Sequence, residues 1–387
     1  MLPLGLSTQE QKWFHEALVS HQRVHTRLAL MDLEHRHLGD LTDLLDDGQV
    51  DLIADGNEAT RTCSVTLFDP HRRSTLDGAS AGTAGVHADR MLRVTRSWFV
   101  PQMGRWVDVP MFTGPVVKAE RSGHTLSVEC QGKEMLANTP GWQARVWAAG
   151  LTRVGVARSI LAELTGERRF DFPSVGDKSA RLPKELSLSR NSKPWQHVLI
   201  LARSMGWQAF YDGRGTARLR ALYSKPVWDF RDGEGGSVLS TPEVVPSSEE
   251  DDLANTFQVL GVKSKNAQVS VTEYLPAWHA RSPQNLGRHG VDRNIVLIEE
   301  NEEIRTWGEA RKVARQLRDE HMGDAGKVTW EGLIVPHLEP LDMVQLDAGG
   351  ITQSTRLREA SFSLRGSTAT YGYTTVLKRR RSRRFAR

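Results

Sequence analysis

Apolar and polar residues alternate along much of the first third of the chain, with the two-residue period of half-buried strands. Residues 23–30 show the pattern, with Leu28 and Leu30 on the apolar side. Further strands are predicted at 49–54, 61–68, 91–99, 106–112, 115–120 and 124–130. Short strands separated by Gly, Asp and Ser predict a barrel or sandwich over residues 20–137. A helix precedes them at 7–19, where Ser7 and Glu10 are spaced as a capping box.

The period changes to that of helices after residue 140. Residues 152–165 and 194–205 carry apolar side chains three to four positions apart, and each run is followed by glycine. Pro194 stands at a helix start. Two alternating runs then flank the turn Asp212-Gly213-Arg214-Gly215, which predicts a hairpin. Residues 139–222 are therefore predicted to form a small α+β domain.

The last third returns to strands after a linker at 231–252 that is rich in Gly, Pro, Ser and acidic residues. Strands are predicted at 255–262, 268–274, 327–335, 342–348, 355–364 and 367–377, with a helix at 304–321. The stretch IVPHLEPLDMVQLDAGG, residues 334–350, predicts a tight corner leading into a strand. The predicted fold class is mainly β with α+β. In this prediction, two similar β-barrel domains flank or pack with a small α+β domain.

The predicted domains are four. Residues 1–138 hold a helix and the first barrel, and 139–222 hold the α+β domain. Residues 223–377 hold the second barrel with an inserted helix at about 302–322, and 378–387 form a basic tail. The turns Arg121-Ser122-Gly123 and Arg365-Gly366-Ser367 are a weak sign that the two barrels are alike.

The composition narrows the class of protein to which the chain can belong. The chain has 387 residues, of which 39% are hydrophobic and 25% charged, typical of a globular protein. Neither a membrane span nor a secretion signal is predicted, so we expect folding in a cytoplasm. Cys63 and Cys130 lie in strand patterns and are predicted to be reduced core residues.

The net charge of +4 comes from the C-terminus. Seven of the last ten residues are basic, and without them the body carries a charge of −3. These residues are Lys378, Arg379, Arg380, Arg381, Arg383, Arg384 and Arg387. A basic-patch argument for nucleic acid binding therefore depends on this tail alone.

No motif for catalysis, a cofactor or a metal is found. His35 and His37 share an i, i+2 spacing, but no third ligand has a recognisable spacing, and we interpret the pair as a solvated strand face. Acid pairs such as Asp46-Asp47 and the run 249–252 lie in predicted loops. The 11 tryptophans indicate core filling and interface anchors, which favours an assembly protein, while carbohydrate stacking stays an alternative.

Four stretches in order resemble the hub proteins at the tip of bacteriophage tails. DVPMFTGPVVKAERSGHTLSVECQGKEMLA (108–137) is similar to a short F-x-G-x-V strand leading to a hairpin. LANTFQVLGV (253–262) resembles the strand that opens the second barrel, with Asn255 in place. RSPQNLGRHGVDRNIVLIEENEEI (281–304) resembles a loop marked by Ser-Pro and then Gly-Arg. The corner in residues 334–350 resembles the P-x-L-x-P-G-D-x-V pattern with which a strand begins in these proteins, except that Leu341 stands where glycine is common.

The resemblance covers about residues 20–377. The residue patterns of these stretches are most similar to those of actinobacterial phages with long non-contractile tails. It implies a trimeric structural hub of the virion, a minor tail protein at the tail tip that is assembled in the host cytoplasm. Six barrels would form a ring that joins the six-fold tail tube or distal tail protein to three-fold tip components and lines part of the DNA-ejection channel. Because the chain ends soon after the second barrel, we expect a minimal hub without a lysin domain.

The implied partners are further copies of this chain, the distal tail protein or tail tube, the tape measure protein and other tail-tip or receptor-binding proteins. No cofactor and no enzyme activity are expected. The basic tail is predicted to be solvated or to dock on an acidic tail protein, or else to contact phage DNA transiently. A receptor- or carbohydrate-binding module and a tail-associated cell-wall hydrolase are the alternatives.

Overall fold

The computed structural model describes residues 1–20, 23–55, 58–71, 74–75, 84–88, 90–139, 144–173, 181–223, 225–246, 254–264, 267–279, 281–321 and 326–375. Two compact units divide the chain. Unit 1 comprises Met1–Pro242 and Trp330–Tyr371, and unit 2 comprises Glu243–Thr329 and Gly372–Arg387. The four-part division drawn from the sequence stays a prediction.

Unit 1 begins with helix α1, Thr8–Val19. The hydroxyl of Ser7 accepts a hydrogen bond from the Glu10 N–H, while the Glu10 carboxylate accepts one from the Ser7 N–H. This reciprocal pair satisfies two donors that a helix start would otherwise leave open, and it confirms the predicted capping box. Phe14 and Leu18 lie on the buried face of the helix.

The strands that follow form most of one large sheet. They are β1 (Val24–Met31), β2 (His37–Asp40), β3 (Leu45–Asp55), β4 (Glu58–Phe68), β5 (Ser74–Thr75), β6 (Ala84–Gly85), β7 (Met91–Val100), β8 (Arg105–Ser122) and β9 (Thr125–Gln131). Strands β5 and β6 pair in parallel with each other. The sequence predicted two strands where β8 is continuous, because Pro115 pairs with Met91 inside the ladder.

The middle of unit 1 combines helices with short strands. It contains α2 (Glu134–Ala137), β10 (Arg145–Trp147), α3 (Arg153–Leu164), β11 (Phe170–Asp171), β12 (Leu186–Leu188), α4 (Pro194–Ser204), β13 (Trp207–Tyr211) and β14 (Ala217–Ala221). Helices α3 and α4 pack through Ile160, Val198 and Ala202 in one apolar cluster with Trp195. Strands β13 and β14 form the predicted hairpin, which confirms that part of the prediction.

The end of the chain returns to unit 1. Its strands are β15 (Trp228–Arg231), β20 (Gly326–Leu333), β21 (Met343–Ala348), β22 (Ile351–Arg356), β23 (Glu359–Ser363) and β24 (Thr368–Thr375), of which β20 and β24 have residues in both units. Strand β23 pairs antiparallel with β3, placing Phe362 opposite Val50. The large sheet thus contains the run β20-β24-β23-β3-β4-β9-β8-β7-β1-β2. Strands β15, β21 and β22 form a separate sheet.

Unit 2 has a small sheet covered by one helix. The elements of this unit are β16 (Glu243–Pro246), β17 (Thr256–Ser264), β18 (Ala267–Tyr274), α5 (Pro283–Leu286), β19 (Val296–Glu300) and α6 (Trp307–His321). The small sheet consists of three of these strands, in the order β18-β17-β19. Val259, Val271 and Ile304 form its core with Val313 and Ala314 of α6.

The predicted fold class, mainly β with an α+β part, is confirmed by these elements. Among the described residues, the strand pairings of the large sheet run from one end strand to the other, and no closed barrel is found. Closure requires a further ladder between the end strands of a sheet.

Candidate functional site

The corner at residues 336–342 adopts a backbone conformation that the sequence left open. Leu341 has a φ of +61°, and its side chain is 1% exposed. For a residue with a Cβ, this left-handed conformation costs roughly 1–2 kcal/mol. The Leu341 side chain packs in a cluster with Ala54, Ala59 and Phe210, and burying a leucine stabilises a fold by about 1.5–3 kcal/mol. Leucine thus offsets the backbone strain by packing where glycine would relieve it.

Asp342 follows and is fully buried. Its carboxylate accepts hydrogen bonds from the Glu339 N–H at 2.8 Å and from Arg220 at 2.8 Å. The terminal amine of Met1 lies 2.5 Å from the same carboxylate. Burial lowers the pKa of this amine to about 6, against the opposing effect of Asp342. The aspartate therefore ties the corner to the hairpin and to the first residue.

A second buried charge, Glu339, pairs with Arg61 of β4. The Arg61 guanidinium also donates to the carbonyl oxygens of Met111 at 2.8 Å and Tyr211 at 3.3 Å. Burial raises the pKa of Glu339, while Arg61 opposes that rise. Buried charges are stable only when they are paired and hydrogen-bonded, so this pair fixes the corner against strand β4.

Aromatic rings surround the same corner on the side of α1. His337 stacks on His15 with ring centroids 5.3 Å apart, and it meets Phe14 at 5.4 Å and Trp228 at 5.9 Å. Burial lowers the pKa of His337 well below its usual range, and it also lowers the pKa of His15. Both rings are therefore held as neutral packing groups.

Arg96 of β7 fixes the turn between β23 and β24. Its guanidinium donates to the carbonyl oxygens of Ser363, at 2.5 Å, and Gly366. Burial lowers the pKa of Arg96 to about 10. The Thr26 hydroxyl donates to the Leu364 carbonyl at 2.9 Å. The last hairpin of unit 1 is thus anchored on its first strands.

The residues that carried the resemblance have structural roles. A Cβ on Gly114 would lie 2.0 Å from the carbonyl oxygen of Gln131, so the F-x-G-x-V strand needs glycine there. Fully buried Asn255 donates to the Arg293 carbonyl at 2.8 Å and accepts from the Ile295 N–H at 2.8 Å. This amide therefore attaches the loop before β19 to the start of β17.

The Ser-Pro and Gly-Arg loop of unit 2 is built in a similar way. The Ser282 hydroxyl accepts from the Asn285 N–H at 3.2 Å, which caps α5, and Pro283 is its first residue. A Cβ on Gly287 would lie 2.5 Å from the Val291 carbonyl oxygen. Both observations point to a loop that is shaped by packing, and neither places a reactive group there.

Unit 2 exposes apolar side chains on the sheet face opposite α6. Tyr274, Val296 and Ile298 are 53%, 47% and 52% exposed. Tyr274 and Val296 both pair with Thr256, and Ile298 pairs with Gln258 on the same face. Contiguous exposed apolar residues mark interaction surfaces more often than isolated ones do.

The histidine pair of the sequence is separated by the structure. His37 begins β2, whereas His35 lies in the preceding turn with a φ of +67°. His35 contacts Arg93, Lys133 and Arg169, so the interpretation as a plain solvated strand face is wrong for this residue. Three cations around one imidazole repel a metal ion. A search of the described residues found no cluster of three potential metal ligands.

The predicted basic tail, Lys378 to Arg387, lies outside the described residues, as does the acidic run 249–252. Cys63 and Cys130 are buried and lie directly opposite each other on β4 and β9, which confirms that they are core residues, and their reduced state stays a prediction. No local pattern predicted the buried ion pairs of the corner or the cations around His35, because the partners in each are far apart in the chain.

Five of the ten tryptophans in the described residues are buried in the core, namely Trp98, Trp147, Trp195, Trp228 and Trp330. Trp98, Trp195 and Trp330 are at most 2% exposed, whereas Trp278 and Trp307 of unit 2 are 63% and 53% exposed. Among the helices of the described residues, none has the length and apolar character needed to cross a membrane.

Comparison with known proteins places this fold. No family model matches the chain, and no curated protein sequence does. Several solved structures are similar to it, among them three tail proteins. The 43 kDa tail protein of prophage MuSo2 from Shewanella oneidensis has 13% identity and a TM-score of 0.58, with 90% of this chain and 98% of that chain covered. A tail protein from Neisseria meningitidis MC58 has 10% identity and a TM-score of 0.59, covering 90% and 96%.

The third is prophage tail protein gp18 from Listeria monocytogenes EGD-e, with 10% identity, a TM-score of 0.52 and coverage of 90% and 95%. The chain therefore has the fold of phage tail proteins. The resemblance to phage tail proteins is confirmed at the level of fold, and the assignment to the hub stays a prediction.

Proposed function

We propose that this protein is a structural component of a phage tail, located in the virion and assembled in the host cytoplasm. The observation that carries the proposal is that 90% of the chain matches nearly the whole length of three tail proteins. The buried ion pairs and neutral histidines of the corner fit a structural role, since their groups are used in packing.

Within the tail, we propose a trimeric hub at the distal end that joins the six-fold tube or distal tail protein to three-fold tip components. Its β regions would contribute to a ring around the DNA-ejection channel. The further partners would be the tape measure protein and receptor-binding proteins of the tip. The proposal includes the four domains predicted from the sequence. It also includes the assignment to a siphovirus, a phage with a long non-contractile tail.

The first experiment is the mass of the purified protein in solution by light scattering. A mass near three times 43.3 kDa supports the hub and calls for imaging of a ring. A monomer that also fails to assemble when the matching distal tail protein is added would contradict it.

The exposed apolar face of unit 2 gives a sharper test of subunit contact. Ile298→Arg places a charge on this face and is expected to reduce assembly. Val146→Arg is the matched control, because Val146 is an apolar strand residue that is 57% exposed in unit 1. Assembly that is lost in both variants, or in neither, would count against a subunit contact at this face.

For the basic tail, we keep the two proposals of a solvated or docking arm and of DNA contact. Seven cations would give salt-sensitive phosphate binding without sequence preference. Deleting residues 378–387 separates the two proposals, since DNA retention that keeps its salt dependence would exclude the DNA contact.

A carbohydrate-binding module is the second candidate, supported by exposed Trp278 and Trp307. Binding in a glycan screen that is lost in Trp278→Ala would favour it, and a screen without binding would argue against it. A peptidoglycan release assay tests the less favoured hydrolase.

A further inference from the structure

The cations around His35 form a cluster that the packing of unit 1 does not explain. His35 is held in a tight turn, in which its N–H donates to the Asp32 carbonyl at 3.0 Å and the Asp32 N–H donates to the Arg36 carbonyl at 3.0 Å. Its left-handed backbone conformation is strained for a residue with a side chain. Strained positions persist where the surrounding structure holds them, and they concentrate at functional sites.

Lys133 contacts one ring nitrogen of His35, Nε2. The buried Lys133 ammonium has three N–H donors, which are directed at Glu167, at the Gly215 carbonyl (3.2 Å) and at His35 Nε2 (3.0 Å). An ammonium only donates, so this contact is a hydrogen bond only when Nε2 is the acceptor. The neutral ring has one acceptor nitrogen and one N–H, so Nε2 and Nδ1 cannot both accept at the same time.

The other ring nitrogen faces two guanidinium groups. Arg169 Nη1 lies 2.9 Å and Arg93 Nη2 lies 3.1 Å from His35 Nδ1. A guanidinium also only donates, so donors face both ring nitrogens while the neutral ring can accept on one side alone. The other acceptors near the two arginines are the Arg214 carbonyl, 3.4 Å from Arg169 Nη1, and the Thr113 hydroxyl, 3.4 Å from Arg93 Nε. Within the described residues, neither arginine forms an ion pair with a carboxylate, although other surface arginines such as Arg36 do.

The charges around His35 also keep its ring neutral. Burial and the positive charges of Lys133, Arg169 and Arg93 lower the pKa of His35 to about 3, and Asp32 opposes this only in part. The Asp32 carboxylate is already engaged by Arg36 and by two backbone N–H groups. Because it is engaged there, Asp32 does not supply the missing acceptor.

We propose that Arg93 and Arg169, which meet at the ring of His35, form a binding site for one small oxyanion, a phosphate or a carboxylate group. Guanidinium groups bind both with charge-assisted hydrogen bonds, which are the strong ones. Arg169 is exposed and Arg93 is half-buried, so the anion can enter from solvent. The oxyanion is either a free phosphate or the carboxylate of an acidic side chain on a protein partner.

A DNA backbone fits this site less well than a small anion. Two guanidinium groups that meet at one ring provide for a single oxyanion, whereas DNA presents a run of phosphates. The site is independent of the proposed role in a phage tail.

The experiment measures binding of inorganic phosphate, acetate and a pentaglutamate peptide by calorimetry at constant ionic strength, because salt screens exposed charges. Arg93→Gln and Arg169→Gln are each expected to weaken binding about tenfold or more, since a lost charge-assisted hydrogen bond is worth that much. Arg231→Gln is the matched control, which removes the same charge in unit 1 from an exposed arginine paired with Asp229.

A readout in the unchanged protein comes from NMR titration of His35. A bound anion favours the charged imidazolium, so phosphate is expected to raise the pKa of His35 from its low value. Phosphate binding with these effects supports a free anion as the ligand. Binding of acetate and the peptide, without phosphate, supports a partner's carboxylate.

The proposal is overturned if none of the three probes binds. It is also overturned if both arginine variants bind as the unchanged protein does, or if the Arg231 control loses as much affinity as they do. Binding of duplex DNA alone, through the same two arginines, would replace a small oxyanion with a polyanion and overturn it as well.

Discussion

Removing the charge of Glu339 is expected to destabilise unit 1 strongly. Glu339→Gln keeps the shape of the side chain but leaves the Arg61 guanidinium without its counter-charge. Arg61 is 5% exposed, and its bonds to the Met111 and Tyr211 carbonyls hold it in place. It therefore cannot reach water without breaking those bonds as well.

The magnitude follows from the burial of both partners. Glu339 is 1% exposed, so the change breaks a fully buried pair. Leaving one partner of such a pair uncompensated costs about 3–5 kcal/mol. Replacing both partners with apolar residues, as in Arg61→Met with Glu339→Leu, removes the uncompensated charge, and we expect it to recover much of that loss.

The assay is thermal unfolding followed by circular dichroism. At about 2 °C per kcal/mol for a unit of this size, Glu339→Gln is expected to lower the melting temperature by about 6–10 °C. Asp229→Asn is the matched control. It breaks an ion pair in the same unit whose side chains are 64% and 47% exposed, and such pairs contribute at most about 1 kcal/mol.

Equal melting temperatures for Glu339→Gln and Asp229→Asn would refute the reasoning, because they would mean that Arg61 finds water or another partner. A double variant that is less stable than Glu339→Gln would contradict the charge argument in a different way. It would show that the packing of the two side chains outweighs the desolvation of their charges.

Three further predictions concern protonation, thiols and backbone packing. Stability is expected to fall as the pH drops from about 6.5 towards about 3, because unfolded His35 gains a proton that the folded ring excludes, and His35→Gln should reduce the fall in melting temperature. Cys63 and Cys130 are expected to react with a thiol reagent only after unfolding, since burial raises both pKa values, and fast reaction of the native protein would contradict this. Gly114→Ala is expected to lower the melting temperature more than Gly123→Ala, because the first Cβ would lie 2.0 Å from a backbone oxygen and the second meets open space at a positive φ that costs roughly 1–2 kcal/mol.

Local patterns in the sequence predicted the elements well where one face of each element is buried. The capping residues of α1 and the proline at the start of α4 are local signals, and both are found as predicted. The hairpin β13–β14 followed from alternation around a glycine-rich turn. Periodicity succeeds in these cases because burial of one face repeats at the spacing of the element itself.

Boundaries that depend on distant partners were missed. The sequence predicted one strand at 355–364, but the chain leaves β22 and enters β23 between them. The Leu357 N–H donates to the Asp342 carbonyl, and the Arg358 carbonyl accepts from Ala54, so the chain passes from one sheet to another at this point. Whether each β region closes into a barrel likewise depends on which strands pair. In the large sheet, β3 pairs with β23, a strand from the end of the chain.

The sequence by itself determined the period of each element, the turns between elements and the resemblance to tail hubs, since each depends on neighbours in the chain. Only the tertiary structure decided which charges meet. Arg61 and Glu339 are 278 positions apart, and His35 and Lys133 are 98 positions apart. A residue's own stretch of sequence shows whether it is polar, but the partner that makes its burial tolerable comes from elsewhere in the fold.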